Sequence, residues 1–169
     1  ILTGDRGINP ALPAILHMDV AGVIKEVGAG VTGFKAQDAV YGCAGGIAGP
    51  DGKIDGALAD FMLADAALIA HKPKTLSFNE AAALPLVSIT AWEGLFDKAQ
   101  MKPGDFILIH AGTGGVGHVA LQLATQHGAR VAVTVSDAEK AGIARRLGAD
   151  EVVFYKEEPV KDYVQRLTG

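Results

Sequence analysis

Residues 110–123 read HAGTGGVGHVALQL and follow the apolar run Phe106-Ile107-Leu108-Ile109. Four glycines fall within the six positions 112–117. Glycine loses the most conformational freedom on folding, so a loop built this way needs what only a missing Cβ supplies. After it, Val116, Val119, Ala120, Leu123 and Ala124 repeat at three- and four-residue spacing, the period of one helix face, and Gly128 supplies a left-handed stop. Gly112, Gly114 and Gly117 thus fit G-x-G-x-x-G between a predicted strand and a predicted helix, the context in which the pattern points to a dinucleotide. The expected division of labour gives one glycine to a tight turn, one to close approach of a pyrophosphate, and one to helix–strand packing. The N–H groups of residues 114–117 are then expected to face the anion, aided by the helix dipole. An ordinary strand-to-helix turn is the competing reading.

The surrounding pattern extends this unit. Pro103-Gly104-Asp105 turns the chain into a strand over 106–110. Arg130 to Val135 reads as a second strand, Ser136 with Glu139 as the cap of a helix ending at Gly148, and Glu151 to Tyr155 as a third strand. This β-α-β-α-β order implies a parallel sheet with crossover helices. Upstream, Ser77-Phe78-Asn79-Glu80 forms a capping box, Pro85 breaks or kinks the helix it starts, and a second helical segment is predicted over 88–99. Residues 1–75 have a different texture. Short β-favouring runs at 20–24 and 39–41 alternate with turns at Gly28-Ala29-Gly30 and Gly49-Pro50-Asp51-Gly52, which reads as an antiparallel barrel or sandwich. The predicted domains are 1–80 and 81–169.

Composition excludes several classes. Of 169 residues, 49% are hydrophobic and 20% charged, which suits a packed globular chain and not a disordered one. His17, Lys25, Lys35, His71 and Lys102 interrupt every candidate membrane span, and no secretory signal opens the sequence, so a cytoplasmic address is expected. A net charge of -4 without a Lys/Arg cluster gives no footprint for nucleic acid. The single cysteine, Cys43, is expected to be a small, partly buried apolar residue. The chain begins at Ile1 without Met and ends at Leu167-Thr168-Gly169, where a helical pattern has just run out, so a piece truncated at both ends is expected. The open edge of a partial sheet predicts a homo-oligomer, a dimer.

The choice of dinucleotide rests on the end of the second strand. An NAD site uses an acid there for the ribose 2′-hydroxyl, whereas an NADP site uses a cation for the 2′-phosphate. Ser136 occupies the strand end, and Lys140 follows one turn later. Asp137, 20 residues after Gly117, is the competing NAD acid, but an acid at a helix start is also expected on dipole grounds. NADPH is therefore the favoured cofactor.

The stretches 12–24, 27–31, 34–42, 56–61, 81–85 and 90–92 resemble the medium-chain dehydrogenase/reductase superfamily, and within it the zinc-independent quinone oxidoreductases related to ζ-crystallin. The resemblance implies a GroES-like antiparallel β domain followed by the first half of an α/β Rossmann domain with a partial parallel sheet. It implies NADP-dependent hydride transfer to a small-molecule quinone, enone or aldehyde. Carried over by position, the cofactor-binding residues are Thr90 near the nicotinamide, the loop Gly112, Thr113, Gly114, Gly115, Val116 and Gly117, and Ser136, Lys140 and Tyr155 around the adenosine 2′-phosphate and adenine. Tyr155 is equally readable as a strand-end aromatic, and Trp92 as packing. No metal is expected. In the zinc-dependent relatives a histidine immediately precedes the acid, whereas Met18 precedes Asp19 here, and His17 stands where the family has glycine. The lobe of closely spaced cysteines is missing. The resemblance also implies further segments, since Asn9-Pro10 lies too close to Leu12-Pro13 to be the family's Asn-rich active-site strand. No general acid stands out; Tyr41 and His17 are the nearest candidates. A zinc-type alcohol dehydrogenase relative and a noncatalytic dinucleotide-binding protein are the alternatives.

Overall fold

A computed structural model describes residues 13–46 and 55–169. The chain divides into two compact units, Ile1–Leu86 and Val87–Gly169. The turn expected at 49–52 and the Asn9-Pro10 pair lie outside the described residues.

In the first unit, β1 (Asp19–Val23), β2 (Ala39–Cys43) and β3 (Ile69–His71) form an antiparallel sheet in the order β1-β2-β3. Register pairs Asp19 with Cys43 and Tyr41 with both Ala21 and Ala70. Gly42 is fixed by space, because a Cβ there would stand 2.2 Å from the Leu68 carbonyl oxygen. The β runs read at 20–24 and 39–41 therefore fall on β1 and β2, whereas the three-residue β3 is too short to carry a periodic pattern. Helix α1 (Phe78–Ala82) starts on the capping box that the sequence predicts. Ser77 Oγ accepts the Glu80 N–H at 3.3 Å, and the Glu80 carboxylate accepts the Ser77 N–H at 2.8 Å.

Helix α2 runs Pro85–Trp92 and continues as a π-helical turn over Glu93–Lys98. It begins three residues earlier than the predicted segment over 88–99. The reason is that Pro85 occupies the first helical position, where a missing N–H costs nothing; the break expected there is present as well, since α1 ends at Ala82.

The second unit carries the parallel sheet. Strands β4 (Phe106–Ile109), β5 (Arg130–Val135) and β6 (Glu151–Phe154) lie in the order β4-β5-β6. Helices α3 (Gly115–Gln126) and α4 (Ala138–Arg146) link them, and α5 (Val160–Thr168) follows. Val131, Val133 and Val135 of the central strand are buried together with Leu121 and Ala124 from α3 and Ala144 from α4. Each fully buried Val or Leu contributes on the order of 1.5–3 kcal/mol, so this layer anchors the unit. Leu95 and Phe96 pack against the same core. Gly128 and Gly148 end α3 and α4 with φ of 86° and 105°, conformations that disfavour any other residue. Among the described residues no helix is long and apolar enough to cross a membrane.

Candidate functional site

The loop from His110 to Gly114 leaves β4 at its carboxyl end, next to the carboxyl end of β5. The only left-handed residue within 110–117 is Ala111, with φ of 52°. This corrects the expectation that a glycine makes the tight turn. Gly112 and Gly117 are buried and are demanded by packing. A Cβ on Gly112 would stand 2.4 Å from Val133 Cβ, and one on Gly117 would stand 2.1 Å from the Ala111 carbonyl oxygen. Gly114 differs from both. Its backbone is extended (φ -76°, ψ 176°), it is exposed, and a Cβ would meet only the Ala111 oxygen at 3.2 Å. Packing within the protein therefore demands glycine less strictly at Gly114 than at the other two.

Gly114 is the N-cap of α3 and offers no side-chain bond. Its own N–H donates to the Ala111 carbonyl at 2.8 Å, which corrects the expected donor set of 114–117 to 115–117. Gly115, Val116 and Gly117 form the first turn, whose amides have no helical acceptor and carry the positive end of the helix dipole. Gly114, Gly115 and Val116 are exposed and Thr113 is half-buried. His118 braces the turn from within, with Nδ1 2.9 Å from the Gly114 carbonyl oxygen.

At the carboxyl end of β5, Ser136, Asp137 and Lys140 form one cluster. Lys140 Nζ donates to Ser136 Oγ at 2.8 Å, and Ser136 Oγ donates to Asp137 Oδ2 at 2.7 Å. The N-cap of α4 is Asp137 and not Ser136, because its carboxylate reaches the Lys140 N–H at 2.9 Å while Ser136 sits one position too early. That backbone bond, followed by the Ser136 hydroxyl, holds the Asp137 carboxyl below its usual range. Asp137 is thus engaged as a helix cap, and the half-exposed Lys140 ammonium closes the cluster, 3.8 Å from Asp137 Oδ2. Tyr155 follows β6, and its N–H donates to the Val135 carbonyl at 3.3 Å, which sets it beside the end of β5. Its half-exposed ring borders a cleft of about 540 Å³ with His110, Ala111, Thr134, Val160 and Tyr163. Thr90 is exposed on α2, one turn after Val87, whose Cγ1 would lie 3.5 Å from a Cβ on Gly115. Trp92 stacks on Phe96 with ring centroids 4.5 Å apart.

The loop, Thr90, Ser136, Lys140 and Tyr155 all belong to the second unit, and Tyr41 and His17 to the first. Tyr41 is half-buried in β2. His17 is exposed with φ of 76°, a left-handed conformation at the position where the resemblance places glycine. Asp19 Oδ1 accepts the Leu86 N–H at 3.0 Å in the first turn of α2, so this carboxylate serves a helix start. Burial, then the Asp19 charge, pushes the Cys43 thiol up. Among the described residues no three His, Cys, Asp or Glu side chains converge on a point that a metal ion would fill. Sequence reasoning passed over Ala111, His118 and Thr134. Thr134 alone left a trace, as a hydroxyl inside the buried run Val131–Val135.

Two family models match the chain: the alcohol dehydrogenase GroES-like domain over residues 1–74 and the zinc-binding dehydrogenase over residues 115–169. The chain belongs to the medium-chain dehydrogenase/reductase superfamily. Among members of this superfamily, it is 43% identical over 158 residues to the 2-methylene-furan-3-one reductase of Solanum lycopersicum, covering 93% of this chain and 40% of the reductase. An alcohol dehydrogenase superfamily protein from Novosphingobium aromaticivorans superposes with a TM-score of 0.86 at 44% identity, over 95% of this chain and 46% of that one. The Escherichia coli quinone oxidoreductase solved in complex with NADPH superposes with a TM-score of 0.80 at 35% identity, over 95% of this chain and 47% of that one. The chain thus spans less than half the length of these relatives. The GroES-like antiparallel sheet followed by a Rossmann-type parallel sheet is the superfamily architecture.

Proposed function

We propose that this chain forms part of a zinc-independent, NADPH-dependent oxidoreductase of the cytoplasm, a homodimer, that transfers hydride to a quinone or an α,β-unsaturated carbonyl. In this reading residues 1–80 belong to the substrate-handling β domain and residues 81–169 hold the cofactor. The observation that carries it is the pairing of a glycine loop, exposed at Gly114 and Gly115, with an ammonium group at the end of the next strand. The residues fit the group. The uncapped first-turn amides of α3, with Gly115 and Val116 exposed, suit a diphosphate, Lys140 with Ser136 suits a 2′-phosphate, and Tyr155 offers a ring face to adenine. Asp137, the one acid placed to select NAD, is held by the Lys140 N–H and the Ser136 hydroxyl, which supports NADPH. Relatives named 2-methylene-furan-3-one reductase and quinone oxidoreductase, the latter solved with NADPH, support the substrate class.

When bound, the cofactor supplies the hydride, and the protein supplies position and exclusion of water. The first turn of α3 orients the diphosphate without a side chain, Thr90 borders the nicotinamide end, and Lys140 selects the phosphorylated ribose. Tyr41 and His17 are the nearest candidates for a proton donor. Met18 in place of a zinc-binding histidine and the engagement of Asp19 by Leu86 support the zinc-independent branch over a zinc-type alcohol dehydrogenase.

Titration of the intact protein with NADPH and NADH tests the reading. NADPH is expected to bind at least about tenfold tighter, since a hydrogen bond to a charged group is worth about 1.5–3 kcal/mol, and Lys140→Ala is expected to erase the difference. Equal binding of the two nucleotides that Lys140→Ala leaves unchanged refutes the NADPH assignment. NADPH binding without oxidation by any of a panel of quinones and enones favours a noncatalytic dinucleotide-binding protein instead.

A further inference from the structure

Strand β5 is buried throughout Val131–Val135, and among the described residues Thr134 is the one buried polar side chain in the protein, 3% exposed. A hydroxyl in such a place is costly unless it is hydrogen-bonded. Thr134 Oγ1 accepts the Ala111 N–H at 2.9 Å and lies 3.4 Å from His110 Nδ1. The Thr134 carbonyl accepts the Gly112 N–H at 3.1 Å. One residue of the neighbouring strand therefore holds two consecutive amides at the entrance of the glycine loop.

Those amides flank the residue that needs holding. Ala111 has a left-handed backbone with φ of 52°, which an L-residue adopts only where its surroundings enforce it. That turn lets the Gly114 N–H return to the Ala111 carbonyl at 2.8 Å, immediately before the first-turn amides of α3, where Gly115 and Val116 are exposed. Thr134 touches none of these donors. We propose that Thr134 is a positioning residue for the phosphate loop, and that its hydroxyl clamps Ala111 in the left-handed turn and so presents the first turn of α3 to the diphosphate. The proposal rests on the dinucleotide reading above.

Thr134→Val keeps the shape and removes the acceptor, and Thr134→Ser restores it. In the intact protein, Thr134→Val is expected to weaken NADPH binding, measured by calorimetry, about tenfold, and to speed hydrogen–deuterium exchange in a peptide spanning 110–117 of the nucleotide-free protein. Thr134→Ser is expected to bind within twofold of wild type. The KM for NADPH should rise more than kcat falls with 1,4-benzoquinone as acceptor. Because glycine adopts the left-handed turn without a clamp, adding Ala111→Gly to Thr134→Val should recover affinity, and stability as well if the single variant folds poorly. Unchanged NADPH affinity in Thr134→Val overturns the clamp and leaves the dinucleotide reading standing. So does equal loss in Thr134→Ser and Thr134→Val, or failure of Ala111→Gly to rescue. A wild-type protein that binds neither nucleotide overturns the dinucleotide reading, and the role assigned to the clamp falls with it.

Discussion

The three motif glycines separate into two kinds, and substitution tells them apart. A Cβ on Gly112 would lie 2.4 Å from Val133 Cβ and 2.6 Å from its Cγ1, in the centre of the buried sheet. One on Gly117 would lie 2.1 Å from a backbone oxygen, which moves less readily than a side chain. Overpacking of this kind costs about 1–3 kcal/mol, so Gly112→Ala and Gly117→Ala should lower Tm whether or not nucleotide is present. Gly114→Val adopts its extended backbone without strain and meets only the Ala111 oxygen at 3.2 Å. It should fold nearly as well as wild type and yet fill the space reserved for a diphosphate. Thermal shift with NADPH reads both effects together. At a hundredfold excess over Kd, ligand stabilises the wild type by about 2.7 kcal/mol, whereas a hundredfold loss of affinity leaves about 0.4 kcal/mol at the same concentration. For a protein of this size 1 kcal/mol moves Tm by about 2–4 °C, so a shift of about 8 °C should fall to about 1 °C. A Gly114→Val protein that keeps the full shift refutes the claim that this glycine clears space for the cofactor.

Two further outcomes test the first unit. His17 holds a φ of 76°, so His17→Gly should be neutral or stabilising by up to about 1 kcal/mol in urea unfolding, while the β-branched His17→Val should cost more than about 1 kcal/mol; equal stability of the three proteins argues against backbone strain at this position. The Ser77 N–H, then the Ser77 hydroxyl, lowers the Glu80 carboxyl from its ordinary 4.5, so its stabilisation is present above pH 4.5 and is lost as pH falls through the lower folded value. The Tm difference between wild type and Glu80→Gln should therefore shrink below pH 4.5, and a difference constant from pH 7 to 3 contradicts the capping box.

Where the sequence was legible, a periodic pattern or a fixed spacing carried the reading. The alternation of β4, α3, β5, α4 and β6 follows from apolar period and glycine stops, because Gly128 and Gly148 mark helix ends by a conformation other residues avoid. The capping box at Ser77 and Glu80 was legible for the same reason, being a fixed spacing with one geometry. Pro85 was legible as the break after α1 but not as the first residue of α2, because proline both ends and begins helices. Ser136 misled because Ser and Asp are near-equal caps, so the adjacent Asp137 settles the choice by one residue of register that periodicity does not resolve.

The glycine loop shows why a motif can locate a site and still misassign its parts. The pattern G-x-G-x-x-G records where Cβ atoms are forbidden, but not what forbids them. Here Val133 forbids one at Gly112 and the Ala111 oxygen forbids one at Gly117. At Gly114 an added Cβ would come no closer than 3.2 Å to another protein atom, so packing demands glycine there far less than at Gly112 or Gly117. The turn itself falls to an alanine, which needs a neighbour to hold it, and the neighbour is a threonine on a strand 23 residues away in sequence. Such a pairing leaves no local spacing to read, since the two residues meet only once the parallel sheet has formed. A ligand-free observation therefore separates fold from function within the motif. Positions where an added methyl group destabilises the empty protein belong to the scaffold, and the position where it leaves the empty protein intact but abolishes the nucleotide-induced shift belongs to the ligand.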